Sequence, residues 1–134
     1  MPEVVSIQFT QDQARTLTGV SVETVRHWRK TVPYLSSKTG KAARFTFAEL
    51  LGLAVAHELV HSFGVHIATL STSIDELFRM LATNGPASLE GTVVFITATE
   101  VTFHEMEADG LSKVPEKSAF MVPLAPLMTG IQRH

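Results

Sequence analysis

Residues 10–30, TQDQARTLTGVSVETVRHWRK, carry the start and stop signals of two short helices separated by a tight turn. Thr10 is a favourable helix N-cap, and Gln13 stands three residues later, where its side chain can complete a capping box. Gly19 ends the first helix, and Ser21 caps a second helix that runs to the end of the stretch. Two short helices joined in this way predict a helix-turn-helix, whose second helix would lie in the major groove of DNA.

The second of these helices has an apolar side and a basic side. Val25 and Trp28 are three residues apart, so both are expected to point into the protein. We interpret Trp28 as a core residue, because a buried aromatic side chain at such a position contributes mainly to packing. The residues left on the outward side are Arg26, His27, Arg29 and Lys30.

A basic turn follows the second helix. Pro33 ends the helical run, residues 36–41, SSKTGK, are polar and basic, and residues 44–47, RFTF, alternate as a short strand. A strand on each side of such a turn would form a wing, whose cations contact phosphates and add affinity without reading sequence. A solvated loop with basic residues is the alternative interpretation. The cations of the predicted wing are Lys38, Lys41 and Arg44.

The order of these motifs resembles the MerR family of helix-turn-helix regulators. The resemblance covers about residues 9–83, and four signatures in the same order are far more specific than any one of them. The chain departs from the pattern at His27, where an aromatic residue is usual, and at residues 31–35, which lack the usual Gly-Leu. The matching stretches are 17–21, LTGVS; 24–28, TVRHW; 44–50, RFTFAEL; and 64–70, GVHIATL.

This resemblance implies an α+β protein with a MerR-like winged helix-turn-helix and following helices over residues 1–83. It implies a bacterial transcription regulator that binds double-stranded DNA in a sequence-specific manner as a homodimer, with no catalytic residues, cofactor or metal. A small excisionase-like factor that shapes recombination sites is the nearest alternative. The DNA-binding residues it implies are Ser21, Thr24, Arg26, His27, Arg29 and Lys30, with Lys38, Lys41 and Arg44 on the DNA backbone.

A zinc-peptidase motif competes with this interpretation. Residues 57–61, HELVH, match H-E-x-x-H, which on a helix places two histidines one turn apart with a glutamate as general base. A third histidine of the extended motif is misplaced, because His66 comes one residue too early and Ile67 holds the ligand position. A zinc metallopeptidase therefore stays an alternative, and buried or interfacial helix histidines are the simpler explanation.

Apolar residues after Gly64 recur with steps of three and four. This spacing is that of a two-heptad seam, which either packs on its own domain or joins two copies of the chain. Two heptads are too short for an independent coiled coil. The seam residues are Ile67, Leu70, Ile74, Leu77 and Leu81.

Residues 84–134 are expected to form a small β-rich segment for dimerisation or for binding a protein partner. Residues 91–97, 101–105 and 118–123 have the alternation or the β-branched content of strands, and residues 124–131 are expected to form a short helix. Strands with exposed edges favour pairing across subunits. An antitoxin-like protein that acts through this segment is a further alternative.

Composition and charge set limits on these interpretations. The 134 residues are 45% hydrophobic and 18% charged, as in ordinary globular proteins. The absence of cysteine, of a signal-peptide start and of a long apolar run leads us to expect a cytoplasmic protein with no membrane contact. Residues 1–50 carry seven Lys and Arg against four Asp and Glu, whereas residues 51–134 carry four against nine. The resulting charges, +3 and −5, are those expected of a chain with a DNA-facing N-terminal half.

Overall fold

A computed structural model describes residues 8–37, 43–107, 110–111 and 118–132 of the protein. Helices and strands both occur, and the chain has the α+β fold expected from its sequence. In chain order the elements are β1 (Gln8–Thr10), α1 (Gln11–Thr18), α2 (Val22–Thr31), a 3-10 helix (Pro33–Ser37), β2 (Arg44–Thr46), α3 (Phe47–Phe63), a 3-10 helix (Ile67–Leu70), α4 (Ser71–Ala82), α5 (Pro86–Leu89), β3 (Thr92–Ile96), β4 (Val101–Glu107), β5 (Gly110–Leu111), β6 (Phe120–Pro123) and α6 (Leu124–Gln132).

Side-chain caps fix the starts of α1 and α3. The Thr10 hydroxyl accepts a hydrogen bond from the Gln13 backbone N–H, and the Gln13 side chain accepts one from the Thr10 N–H, which confirms the predicted capping box. Thr46 and Glu49 form the same reciprocal pair at α3. Both caps satisfy N–H groups that the first helical turn leaves without intrahelical partners.

Helix α3 lies at the centre of the molecule. Every residue from Leu50 to Ala56 is buried, as the apolar character of all its faces predicts. The helix contacts α1, β2, α4, β6 and α6. One continuous hydrophobic core therefore extends from Ala14 in α1 to Ile131 in α6.

The close approach of α3 and α4 depends on Gly52. A methyl group built on Gly52 would overlap the ring of Phe78, so only glycine leaves space for that ring. Phe78 is 1% exposed and Leu77 is fully buried. The contact between the two helices therefore fixes where α4 lies.

The predicted heptad seam lies inside this core. Its residues are all 5% exposed or less in the single chain, so they pack on the protein's own helices and are not available to a second copy. Of the two alternatives for the seam, packing on its own domain is therefore correct and joining two copies of the chain is not. A dimer therefore needs another surface. The buried seam residues are Ile67, Leu70, Ile74, Leu77 and Leu81.

Four antiparallel strands form a sheet in the order β5-β4-β3-β6. Val94 at the centre of β3 is opposite Phe103 of β4 and Val122 of β6. Val94, Ile96 and Val122 belong to the common core, and α3, α4 and α6 all contact the sheet. Within the described residues, no helix is long and apolar enough to cross a membrane.

We predict that Gly52→Ala lowers the free energy of unfolding by about 1–3 kcal/mol, because the added methyl group overpacks the contact with Phe78. Urea denaturation measures this change. Gly130→Ala is the matched control, since it adds the same methyl group to a helix at a position with open space around it. An equal loss of stability in both variants would contradict this account of the α3–α4 contact.

Candidate nucleic-acid interface

The turn between α1 and α2 is built from Thr18, Gly19 and Val20. Gly19 adopts a left-handed conformation, with φ of +78°, and its N–H donates to the Arg15 carbonyl oxygen at 2.9 Å. Thr18 donates its hydroxyl to the Ala14 carbonyl oxygen at 2.6 Å, and Val20, only 1% exposed, anchors the turn in the core. A left-handed residue at this place favours glycine, as the sequence predicted.

Helix α2 is held by its apolar face. Val25 and Trp28 are each 4% exposed, and Val32, which follows the helix, is completely buried. The inward orientation predicted for Val25 and Trp28 agrees with this burial. The packing leaves the opposite side of the helix at the molecular surface.

Tyr34 ties the segment after α2 to the centre of the molecule. Its backbone N–H donates to Asp75 Oδ1 at 2.6 Å, and its hydroxyl donates to Glu49 Oε2 at 2.9 Å. The ring stacks on Phe78 with centroids 5.1 Å apart. Burial, together with the Glu49 carboxylate, raises the pKa of Tyr34 to about 12. Sequence reasoning missed this anchor, because its partners lie 15 and 41 residues away along the chain.

Basic residues occupy the outward face of α2. Arg26, His27 and Lys30 are exposed, and Arg29 is half-buried. Burial, and next the proximity of Arg26, lowers the pKa of the Arg29 guanidinium. Within the described residues, Nε and Nη2 of Arg29 are buried without a hydrogen-bond acceptor. Two adjacent guanidinium groups that disfavour each other's charge are an arrangement that an anion would stabilise.

Two other candidate residues have structural contacts at the start of α2. Ser21 Oγ accepts a hydrogen bond from the Thr24 N–H at 3.1 Å, and the two hydroxyls are 2.8 Å apart. This is the helix cap that the sequence predicted. Both residues lie at the N-terminal end of α2, next to the basic face, and as uncharged residues they add no positive charge to it.

The wing differs from the sequence prediction. The first strand of the wing was expected before the basic turn of residues 36–41, but Pro33–Ser37 form a 3-10 helix, because Pro33 has no N–H and the Tyr34 N–H is committed to Asp75. Strand β2 pairs with β1, with Arg44 opposite Thr10. The Arg44 side chain is exposed on this strand, and its Nη1 donates to the Ala43 carbonyl oxygen. The predicted wing residues Lys38 and Lys41 lie outside the described residues.

The histidines of the HELVH motif contact each other. The ring centroids of His57 and His61 are 4.1 Å apart, and Glu58 accepts a hydrogen bond from the Ser62 hydroxyl. Burial, and next the neighbouring His61, lowers the pKa of His57. In the part of the chain that the structure describes, no group of three or more His, Cys, Asp or Glu residues is placed to hold a metal ion. The two histidines therefore contact each other within α3. His57 also lies next to the turn between α1 and α2, since a methyl group built on Gly19 would be 3.5 Å from His57 Nε2.

Two short helices, a glycine turn and an exposed basic second helix define a helix-turn-helix protein of the DNA-binding class. The family model of the MerR HTH family regulatory proteins matches residues 9–77, and the chain belongs to this family. This membership confirms the resemblance and identifies the chain as a DNA-binding transcriptional regulator. Searches among curated proteins and among solved structures gave no significant match.

We predict that the purified protein holds no stoichiometric zinc and that a chelator leaves its thermal unfolding midpoint unchanged. Two neighbouring imidazoles without a third ligand are a poor zinc site, because protein zinc sites use three or four ligands around the ion. Metal analysis by mass spectrometry and a melting curve with and without chelator provide the test. One tightly held zinc per chain, together with a proteolytic activity that Glu58→Gln abolishes, would favour the peptidase alternative.

Proposed function

We propose that this protein is a sequence-specific transcriptional regulator that binds double-stranded DNA as a homodimer through α2. The observation that carries the proposal is the basic outward face of α2, held rigidly by buried Val25, Trp28 and Val32. Residues 1–83 form the DNA-binding domain in this proposal, and residues 84–134 serve dimerisation or a protein partner.

The basic residues of α2 have different roles in this proposal. Arg26 and His27 are exposed and reach base edges, where arginine forms bidentate hydrogen bonds to guanine O6 and N7. Arg29 is half-buried beside Arg26, and its guanidinium contacts a phosphate oxygen in this proposal. Lys30 is one helical turn from Arg26 and adds a second phosphate contact. Ser21 and Thr24 set the position of the helix start against the DNA backbone.

A homodimer is proposed because one recognition helix forms only a small interface with DNA. A single short recognition helix contacts few base pairs, whereas two copies read two half-sites about one helical turn apart, roughly 34 Å. The target is therefore expected to be a palindromic or nearly palindromic sequence.

We predict that Arg26→Ala weakens binding to the target sequence by about 5- to 150-fold while random DNA is bound with little change. The loss corresponds to one bidentate base contact, worth about 1–3 kcal/mol. Target sites are obtained by selection from a random duplex pool, and affinity is measured by fluorescence anisotropy. Arg15→Ala is the matched control, since it removes an exposed arginine from α1, where Arg15 pairs with Asp12.

Wild-type affinity and salt dependence in correctly folded Arg26→Ala protein would contradict this proposal. In that case α2 is not the helix that reads the bases.

The proposed wing makes a separate prediction. The double variant Lys38→Ala, Lys41→Ala should bind target and random DNA more weakly to the same extent, because phosphate contacts carry no sequence information. The slope of log affinity against log salt should become shallower by up to about 2. Lys113→Ala with Lys117→Ala removes the same charge from the C-terminal half and should leave the slope unchanged. A preferential loss for the target alone would contradict a purely backbone role.

A further inference from the structure

The outer side of β6 is an unpaired sheet edge. Among the described residues, β6 pairs only with β3, in a register that places Ile96 opposite Phe120 and Val93 opposite Pro123. The backbone groups on its other side therefore have no partner strand within the described part of the chain. Unpaired edge groups are ready acceptors and donors for a strand of another chain.

This edge is apolar and uncharged. Residues 118–123, SAFMVP, contain no charged side chain, and Met121 is 44% exposed. Phe63, 49% exposed at the end of α3, packs against Phe120 with ring centroids 5.1 Å apart. Natural sheet edges are protected by charged residues, by proline or by a short length, and of these β6 has its four-residue length and Pro123 at its end but no charge. An edge flanked by two large exposed apolar side chains is instead typical of a surface that another chain covers.

The opposite edge of the sheet does not suit a second copy. It is formed by β4 and β5, and the exposed residues Glu100 and Glu105 lie on or beside β4. Two copies paired there would bring these carboxylates near each other, and residues 51–134 already carry a net charge of −5. Like charges on facing strands destabilise a pair. The β6 edge is the uncharged end of an otherwise acidic half of the chain.

We propose that two copies of the chain join edge to edge through β6, antiparallel about a two-fold axis. The result is a continuous sheet in the order β5-β4-β3-β6-β6-β3-β4-β5. A two-fold axis perpendicular to the sheet places an edge strand beside its own copy in the antiparallel sense and keeps both copies in one sheet, so the edge is complementary to itself. This inference rests on the homodimer of the proposed function and assigns the surface that forms it, since the seam of α4 is buried within one chain.

Pairing through β6 places Met121 close to its own copy. Residues directly opposite each other in an antiparallel pair point to the same face of the sheet. If the two-fold axis passes at residue 121, Met121 lies directly opposite its copy. If the axis passes at residue 120 or 122, the two copies of Met121 are diagonal neighbours on the same face. The two side chains are then separated by about 5–8 Å. A charge at position 121 would therefore face the same charge.

The test compares Met121→Lys with Met106→Lys by sedimentation velocity at micromolar protein. Both methionines are exposed to a similar extent, 44% and 47%, but Met106 lies on β4. We expect dimeric wild-type protein, a Met121→Lys variant whose dimer dissociates about 100-fold more readily or worse, and a Met106→Lys variant that remains dimeric. Melting curves establish that both variants are folded.

Mixing Met121→Lys with Met121→Glu provides a second readout. Opposite charges at the two-fold axis should restore a heterodimer, which a merely destabilised fold would not do. A monomeric wild-type protein, a dimeric Met121→Lys variant, or equal dissociation of Met106→Lys would each overturn the inference.

DNA affinity is measured separately on a single half-site. If the Met121 variants behave as expected and no DNA is bound, the edge assignment stands and the proposed function fails.

Discussion

The burial of α3 between the helix-turn-helix and the C-terminal elements is the constraint on which the structure depends. Gly52 leaves space for the Phe78 ring, Tyr34 stacks on that ring, and the Tyr34 hydroxyl and N–H bind Glu49 and Asp75. These contacts join α3, α4 and the segment after α2 in one packed junction. The orientation of α2, and hence of its basic face, follows from this junction together with the buried side chains of Val25 and Trp28.

The sequence predicted those features that have short-range causes. The caps at Thr10 and Ser21 and the end of α1 at Gly19 depend on residues within four positions, and the structure has all three. The burial of α3 from Leu50 to Ala56 followed from the lack of a polar face in this part of the helix. The outward cations of α2 were predicted from helical spacing alone.

Features with long-range causes were missed or predicted wrongly. The partner of β2 is β1, more than thirty residues earlier, so a strand pattern at residues 44–47 could not identify it. The 3-10 helix after Pro33 depends on the bond from Tyr34 to Asp75, and Asp75 had no distinguishing signal in the sequence. The spacing of the α4 seam is the same whether it faces its own core or a second copy. Only the three-dimensional packing separates those two cases.

The central claim is that α2 lies in the major groove of DNA, and methylation interference tests it most directly. Methyl groups on guanine N7 project into the major groove, whereas those on adenine N3 project into the minor groove. On a duplex selected from a random pool, the account predicts interference at guanine N7 in two clusters about one helical turn apart. Interference confined to adenine N3, or none in the major groove, would contradict it.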